Sequence, residues 1–178
     1  MKTRNIALLM LITVVVFSGC KKIEDALDVT FDTSFFSDLN AVATEGTKAG
    51  INGTFNVETS LDPTSDDNVA KYMDKIKSWE VTKIKAEIIS TSKDATLTIL
   101  NLGVANQNYS ANWDFQNIAI SVGTIITLDN GNGQWDSINS ILGDMEVFTF
   151  TTSGTTEEDQ LEFTIRVKID SNVTANPL

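Results

Sequence analysis

Between Leu161 and Asp170 the chain alternates without a break. Leu161, Phe163, Ile165, Val167 and Ile169 are interleaved with Glu162, Thr164, Arg166, Lys168 and Asp170. A period of two sets the first group on one face of a pleated strand and the second on the other. A strand with one apolar face cannot bury it alone. It needs neighbouring strands in its sheet and a second layer to pack on. The outer face carries charges of both signs, which can pair with each other.

Other segments repeat the pattern less cleanly. Val29–Phe36 reads as a first strand, with Val29, Phe31, Thr33 and Phe35 on one side, and residues 37–50 read as a loop that can include extended structure. Ile51–Leu61 is expected to be a second strand. Trp79–Thr91 changes parity, from Trp79 and Val81 to Ile84, Ala86 and Ile88, which implies a bulge near Thr82–Lys83 or a change of buried face. Ala95–Leu102 follows, with Leu97 and Ile99 expected on one side, then a polar turn over Gly103–Asn112. Trp113–Val122 also switches parity, and Met145–Thr152 precedes a loop over Ser153–Asp159.

Two short helices interrupt the strands. Asp62-Pro63-Thr64-Ser65 stops one strand, and Ser65 or Asp66 can cap a helix whose apolar face is Val69, Tyr72, Met73 and Ile76. After the turn Asp129-Asn130-Gly131-Asn132-Gly133, helical spacing returns at Trp135, Ile138, Ile141 and Leu142, with Gly143 as the stop. About seven or eight strands with two short helices and no βαβ alternation predict an antiparallel β-sandwich. A β-barrel is the main alternative.

The first twenty residues are of a different kind. Met1–Asn5 is short and basic, and Ile6–Phe17 is apolar except for Thr13. As a helix this run would not cover the ~30 Å hydrocarbon core, so a signal peptide fits better than a membrane span. It ends in Phe17-Ser18-Gly19-Cys20, and Cys20 is the only cysteine of the chain. This stretch resembles the lipobox of bacterial lipoproteins, with Phe17 in place of the usual Leu. The resemblance covers residues 1–20. It implies cleavage before Cys20, a diacylglycerol on its thiol and acylation of the new amino terminus. Residues 1–19 would then be the signal peptide, 20–28 a lipidated tether and 29–178 a single β-sandwich domain. Several acyl chains on one residue hold a protein at a membrane where a single chain is marginal. Lys21, not Asp, follows the cysteine. By resemblance to enteric lipoproteins this points to the outer membrane rather than the inner one.

Composition removes several functions. The chain has 13 basic and 24 acidic residues, and losing Lys2 and Arg4 with the leader makes the balance more negative. That sign opposes phosphate backbones, so nucleic acid is not an expected partner. With no His and no second Cys, the usual zinc ligands and the usual general base are missing. No phosphate loop, dinucleotide fingerprint or Ser/His/Asp set occurs. No cofactor, metal site or catalytic residue is expected.

The remaining candidates are few. Asp129–Asp136 fails as a Ca²⁺ loop, because Gly131 and Gly133 stand where oxygen ligands belong and the closing Glu is absent. The amides of Asn130, Asn132 and Gln134 beside Trp135 are the groups a sugar site uses. Trp79 and Trp113 add two rings, although all three tryptophans also fit core positions. Asp66-Asp67 and Glu157-Glu158-Asp159 could supply carboxylates for hydrolysis, or simply a helix start and a solvated loop. Six lysines between Lys71 and Lys93 make a local basic zone, most simply a solvated face. The expected function is a non-enzymatic cell-envelope lipoprotein, bound to the membrane through lipid on Cys20, with a binding or structural role. Its partner would be a glycan or an envelope protein. Glycan binding at the surface and a carboxylate-dependent hydrolase are the alternatives.

Overall fold

The computed structural model describes residues 27–45 and 53–177. The expected signal peptide, Cys20, most of the tether and the start of the second expected strand lie outside the described residues. Nine strands occur among the described residues: β1 (Val29–Val42), β2 (Thr44–Glu45), β3 (Gly53–Leu61), β4 (Ile76–Thr91), β5 (Ala95–Ala105), β6 (Ser110–Ile120), β7 (Ile125–Thr127), β8 (Phe148–Thr156) and β9 (Glu162–Ala175). Two α-helices, α1 (Asp67–Tyr72) and α2 (Gln134–Gly143), lie in the connections.

The pairing is nested. β1 pairs with β9, β3 with β8, β4 with β7 and β5 with β6, all antiparallel. Further pairing of β4 with β9 and β5 with β8 rolls this long hairpin into two sheets, β1-β9-β4-β7 and β2-β3-β8-β5-β6. That is the strand order of a jelly roll. The β-sandwich expectation is met, and the barrel is not formed, because the two sheets keep separate edges.

Both sheets turn their apolar faces inward. Ile165, Val167 and Ile169 of β9 meet Phe148 and Phe150 of β8 in a common core with Leu39, Ile84, Ile88, Leu100 and Leu102, all of them buried. Two aromatic pairs bridge the layers. Phe35 of β1 meets Phe148 edge-on at 6.2 Å, and Phe163 of β9 meets Phe55 of β3 at 5.0 Å. Edge-to-face contact suits the ring quadrupole. α2 packs against β4 and β6, with Ile138, Ile141 and Leu142 buried beneath it.

The parity switch in β4 is a bulge between Val81 and Lys83, where the sequence places it. In β6 the switch falls at Asn117, which has φ 54. Several boundaries move. β1 runs on to Val42 instead of giving way to a loop, because Ser37, Leu39 and Ala41 continue the buried row opposite Val167, Ile165 and Phe163. Leu97 and Ile99 do not share a face: a bulge between them leaves Leu97 buried and Ile99 exposed. The turn expected over Gly103–Asn112 shrinks to residues 106–109, since Gly103 pairs with Asn112 between buried Leu102 and Val104. Strand β8 starts at Phe148 and runs to Thr156, so the loop expected from Ser153 begins later.

The helices are shorter or end elsewhere than expected. Asp66 caps α1 by accepting from the backbone N–H groups of Asn68 and Val69. The helix stops at Tyr72, and Ile76, expected on its apolar face, already belongs to β4. Gly143 is still helical. The left-handed residue that turns the chain away is Met145, at φ 55.

Candidate functional site

The loop that carries the expected sugar-binding groups is held by its own polar atoms. The Asn130 Oδ1 accepts the Trp135 backbone N–H at 2.8 Å, and the Gln134 Oε1 accepts the Asn132 N–H at 2.8 Å. Gln134 also reaches the Asn112 carbonyl through Nε2, at 3.5 Å. Gly133 supplies a left-handed residue (φ 76) just before α2. The Asn130 bond serves a backbone donor that the start of a helix leaves unsatisfied, and the two Gln134 bonds fix the turn before it and hold it to β6.

The tryptophans are tied inward. Trp135 is half-buried against the core, and its indole N–H donates to the Leu128 carbonyl at 3.1 Å. Trp113 is buried and donates to the Asp129 carbonyl at 2.8 Å. Trp79 is buried under Phe35, with ring centroids 6.0 Å apart. Asn130, Asn132, Gln134 and Trp135 are therefore brought together, while Trp79 and Trp113 face the core and add no platform beside them.

The two acidic groups lie at opposite ends of the sandwich. Asp66 caps α1 beside the starts of β1 and β4, and its Oδ2 accepts from the Thr33 hydroxyl at 2.9 Å. Glu157, Glu158 and Asp159 follow the far end of β8, where Glu158 pairs with Lys93 at 2.5 Å. The fold does not set them across a common cleft, which paired-carboxylate hydrolysis requires. Among the described residues, no three His, Cys, Asp or Glu side chains form a metal-binding group.

A surface that was harder to see in the sequence is the outer face of the β1-β9-β4 sheet. Phe35 is buried, so Phe36 must point outward, and it is 53% exposed. The Arg166 guanidinium stands 4.9 Å from the centre of the Phe36 ring and donates twice to Asp38, at 2.7 Å from both Nε and Nη2. Further along the same face, Ser90 donates to Thr164 and Thr164 to the Asn40 Oδ1. A depression of about 340 Å³ lies there, lined mainly by Asn40, Val42, Ser90, Ser92, Glu162 and Thr164. A second, of about 250 Å³, lies between Asp32, Ser34, Thr82, Asp170 and Asn172. The signal available in the sequence was the adjacent pair Phe35-Phe36, since neighbours in a strand face opposite ways.

The electrostatics of this face favour fixed charge over proton transfer. The hydrogen bonds from Arg166, helped by its charge, hold the Asp38 carboxyl below the usual range against a smaller opposing effect of burial. At Asp170 burial pulls upward, but hydrogen bonds from Lys168 and Ser34, together with the charges of Lys168 and Lys83, outweigh it and the net shift is down. Carboxylates held ionised in this way accept hydrogen bonds and do not act as acids near neutral pH.

No family model and no curated protein matches the chain. Solved structures of low similarity do. A decameric BFDV capsid protein covers 82% of this chain and 99% of its own at 8% identity, with a TM-score of 0.42. The turnip yellow mosaic virus structure covers 84% and 95% at 13% identity, with a TM-score of 0.35. The mud crab tombus-like virus structure covers 85% and 91% at 8% identity, with a TM-score of 0.34. At these scores the likeness carries no argument about function.

Proposed function

We propose that the chain is a non-enzymatic lipoprotein of the cell envelope: a jelly-roll domain held at a membrane, preferentially the outer membrane, by acyl chains on Cys20. The observation that carries this reading is the chain's single cysteine, placed directly after Ser18-Gly19 and the apolar run Ile6–Phe17. The position of the fold supports it. β1 begins at Val29, nine residues after Cys20, so a cut before Cys20 would leave every strand among the described residues intact. The separation of Asp66-Asp67 from Glu157-Glu158-Asp159, at opposite ends of the sandwich, favours a binding or structural role over hydrolysis by those two groups. Glycan capture through Trp135 draws less support, because the Asn130 and Gln134 carbonyl oxygens and the indole N–H are already engaged within the loop.

Metabolic labelling with a palmitate analogue tests the proposal. The full chain, expressed in a bacterium, should take up label and sediment with membranes, and Cys20→Ser should lose the label. An unlabelled parent protein, or a mass retaining residues 1–19 with an unmodified thiol, refutes it.

A further inference from the structure

The chain enters the sandwich at one end, and that end has a distinct surface. The start of β1, the finish of β9 and the start of β4 are neighbours there: Val29 pairs with Ala175, and Ala175 with Ile76. The same end is closed by α1, by the Met73–Lys75 turn, by residues 106–109 between β5 and β6, and by residues 144–147 before β8. Asp144 ties two of these together by accepting from the side-chain amides of Asn106 and Asn108. Large apolar side chains stand out from this end: Leu27, Val29, Met73 (46% exposed), Tyr109 and Val147 (55% exposed). Exposed apolar residues are ordinary singly, and Val42, Val122 and Ile125 stand at the far end too; what distinguishes these five is that they stand at the end where the chain enters.

Chain length restricts what this end can meet. Leu27 is seven residues beyond Cys20. Even fully extended, that stretch spans no more than about 25 Å at ~3.6 Å per residue. A strand of 14 residues such as β1 is about 45 Å long. A lipid on Cys20 therefore keeps the entry end within reach of the bilayer, whereas the far end reaches it only if the sandwich lies flat. Tethering also raises the local concentration of this end at the surface, so weak apolar contacts become effective.

We infer that the entry end of the sandwich is seated on the lipid surface, with Leu27, Val29, Met73, Tyr109 and Val147 entering the headgroup layer. This inference rests on the lipid-anchored reading above. Charge selects the kind of surface. Asp28, Asp62, Asp66, Asp67, Asp74, Asp144 and Glu146 outnumber Lys71, Lys75 and Lys77 at this end. One ion pair, Lys77 with Asp28 at 2.8 Å, cancels internally. Attraction to anionic headgroups is therefore not the driving force, and zwitterionic lipid is the fitting partner. The outward-facing parts are then the far end, with Val122 and Ile125, and the depression at Asn40, Ser90 and Glu162.

Spin-label depth measurements on the full acylated chain test the seating. With Cys20 modified the protein has no free thiol, so a cysteine introduced at one position is labelled alone. Met73→Cys and Val147→Cys report the entry end, and Val122→Cys, 65% exposed at the far end, is the reference. Each variant is reconstituted in phosphatidylcholine vesicles. Collisions of the nitroxide with oxygen, which concentrates in lipid, are compared with collisions with a water-soluble nickel chelate. The ratio should be several-fold higher at positions 73 and 147 than at 122, and should persist in high salt. Equal ratios at all three positions, on protein whose mass shows the acyl chains, overturn the seating and leave the anchor standing. A mass without acyl chains overturns both.

Discussion

Gly154 provides the sharpest test of the packing. It lies in β8 between Phe55 of β3 and Leu100 of β5. The bulge between Leu97 and Ile99 brings the Ile99 backbone down on it. A Cβ at position 154 would overlap the Ile99 carbonyl oxygen, lie 2.9 Å from the carbonyl carbon and 2.7 Å from the tip of the Phe55 ring. Two opposed effects set the sign of Gly154→Ala. Where the backbone tolerates alanine, the change stabilises by about 0.4–1 kcal/mol through the unfolded chain. Overpacking a tight interior costs about 1–3 kcal/mol. The Phe55 ring has little room, being packed on Phe163, and the Ile99 carbonyl can retreat only by moving β5, which is paired on both sides. The cost should therefore win, with a net loss of about 1–2 kcal/mol. For a domain of this size that lowers the melting temperature by about 2–8 °C, at ~2–4 °C per kcal/mol. Thermal unfolding followed by circular dichroism measures it. Gly131→Ala is the control: its Cβ would meet nothing nearer than 3.5 Å, and its melting temperature should hold or rise. A Gly154→Ala protein that melts at or above the parent refutes the argument.

Asp66→Ala removes acceptors from Asn68 N, Val69 N and the Thr33 hydroxyl, and should cost about 0.5–2 kcal/mol in urea unfolding. No measurable loss would mean that α1 does not depend on its cap. The Asp38–Arg166 pair predicts a pH signature. Because the folded-state pKa of Asp38 is depressed, its stabilising contribution is present above the unfolded value of about 3.9 and is lost as pH falls through the folded value. The melting-temperature gap between the parent and Asp38→Asn should thus be widest above about pH 4 and close on acidification. The gap should be modest, since both side chains are more than a third exposed. A gap that is constant down to pH 2 would contradict the assignment.

Local periodicity made the fold mainly β and left sandwich and barrel open, which the pairing of strands decided. The alternation from Leu161 to Asp170 reads as a strand buried on one side, and the break in phase at Trp79–Ile88 called for a bulge or a change of buried face, of which the bulge occurs, between Val81 and Lys83. Turn chemistry likewise placed α2 immediately after Gly133. These features were legible because they depend on neighbours within a few residues, through pleat, cap and left-handed glycine. Where strands ended was decided from outside them. Ser37–Val42 stays extended because β9 lies beside it, and Gly103 stays in a strand because β6 and β8 flank it. The same holds for the sites. Whether a tryptophan lines a surface or fills the core, and whether two acidic groups share a cleft, depends on which sheet edges meet. The single cysteine behind an apolar run can be read from sequence because it is a pattern of neighbouring residues. The end of the sandwich at which the chain enters, and the side chains exposed there, followed from the nested pairing of β1 with β9, whose partners lie more than a hundred residues apart.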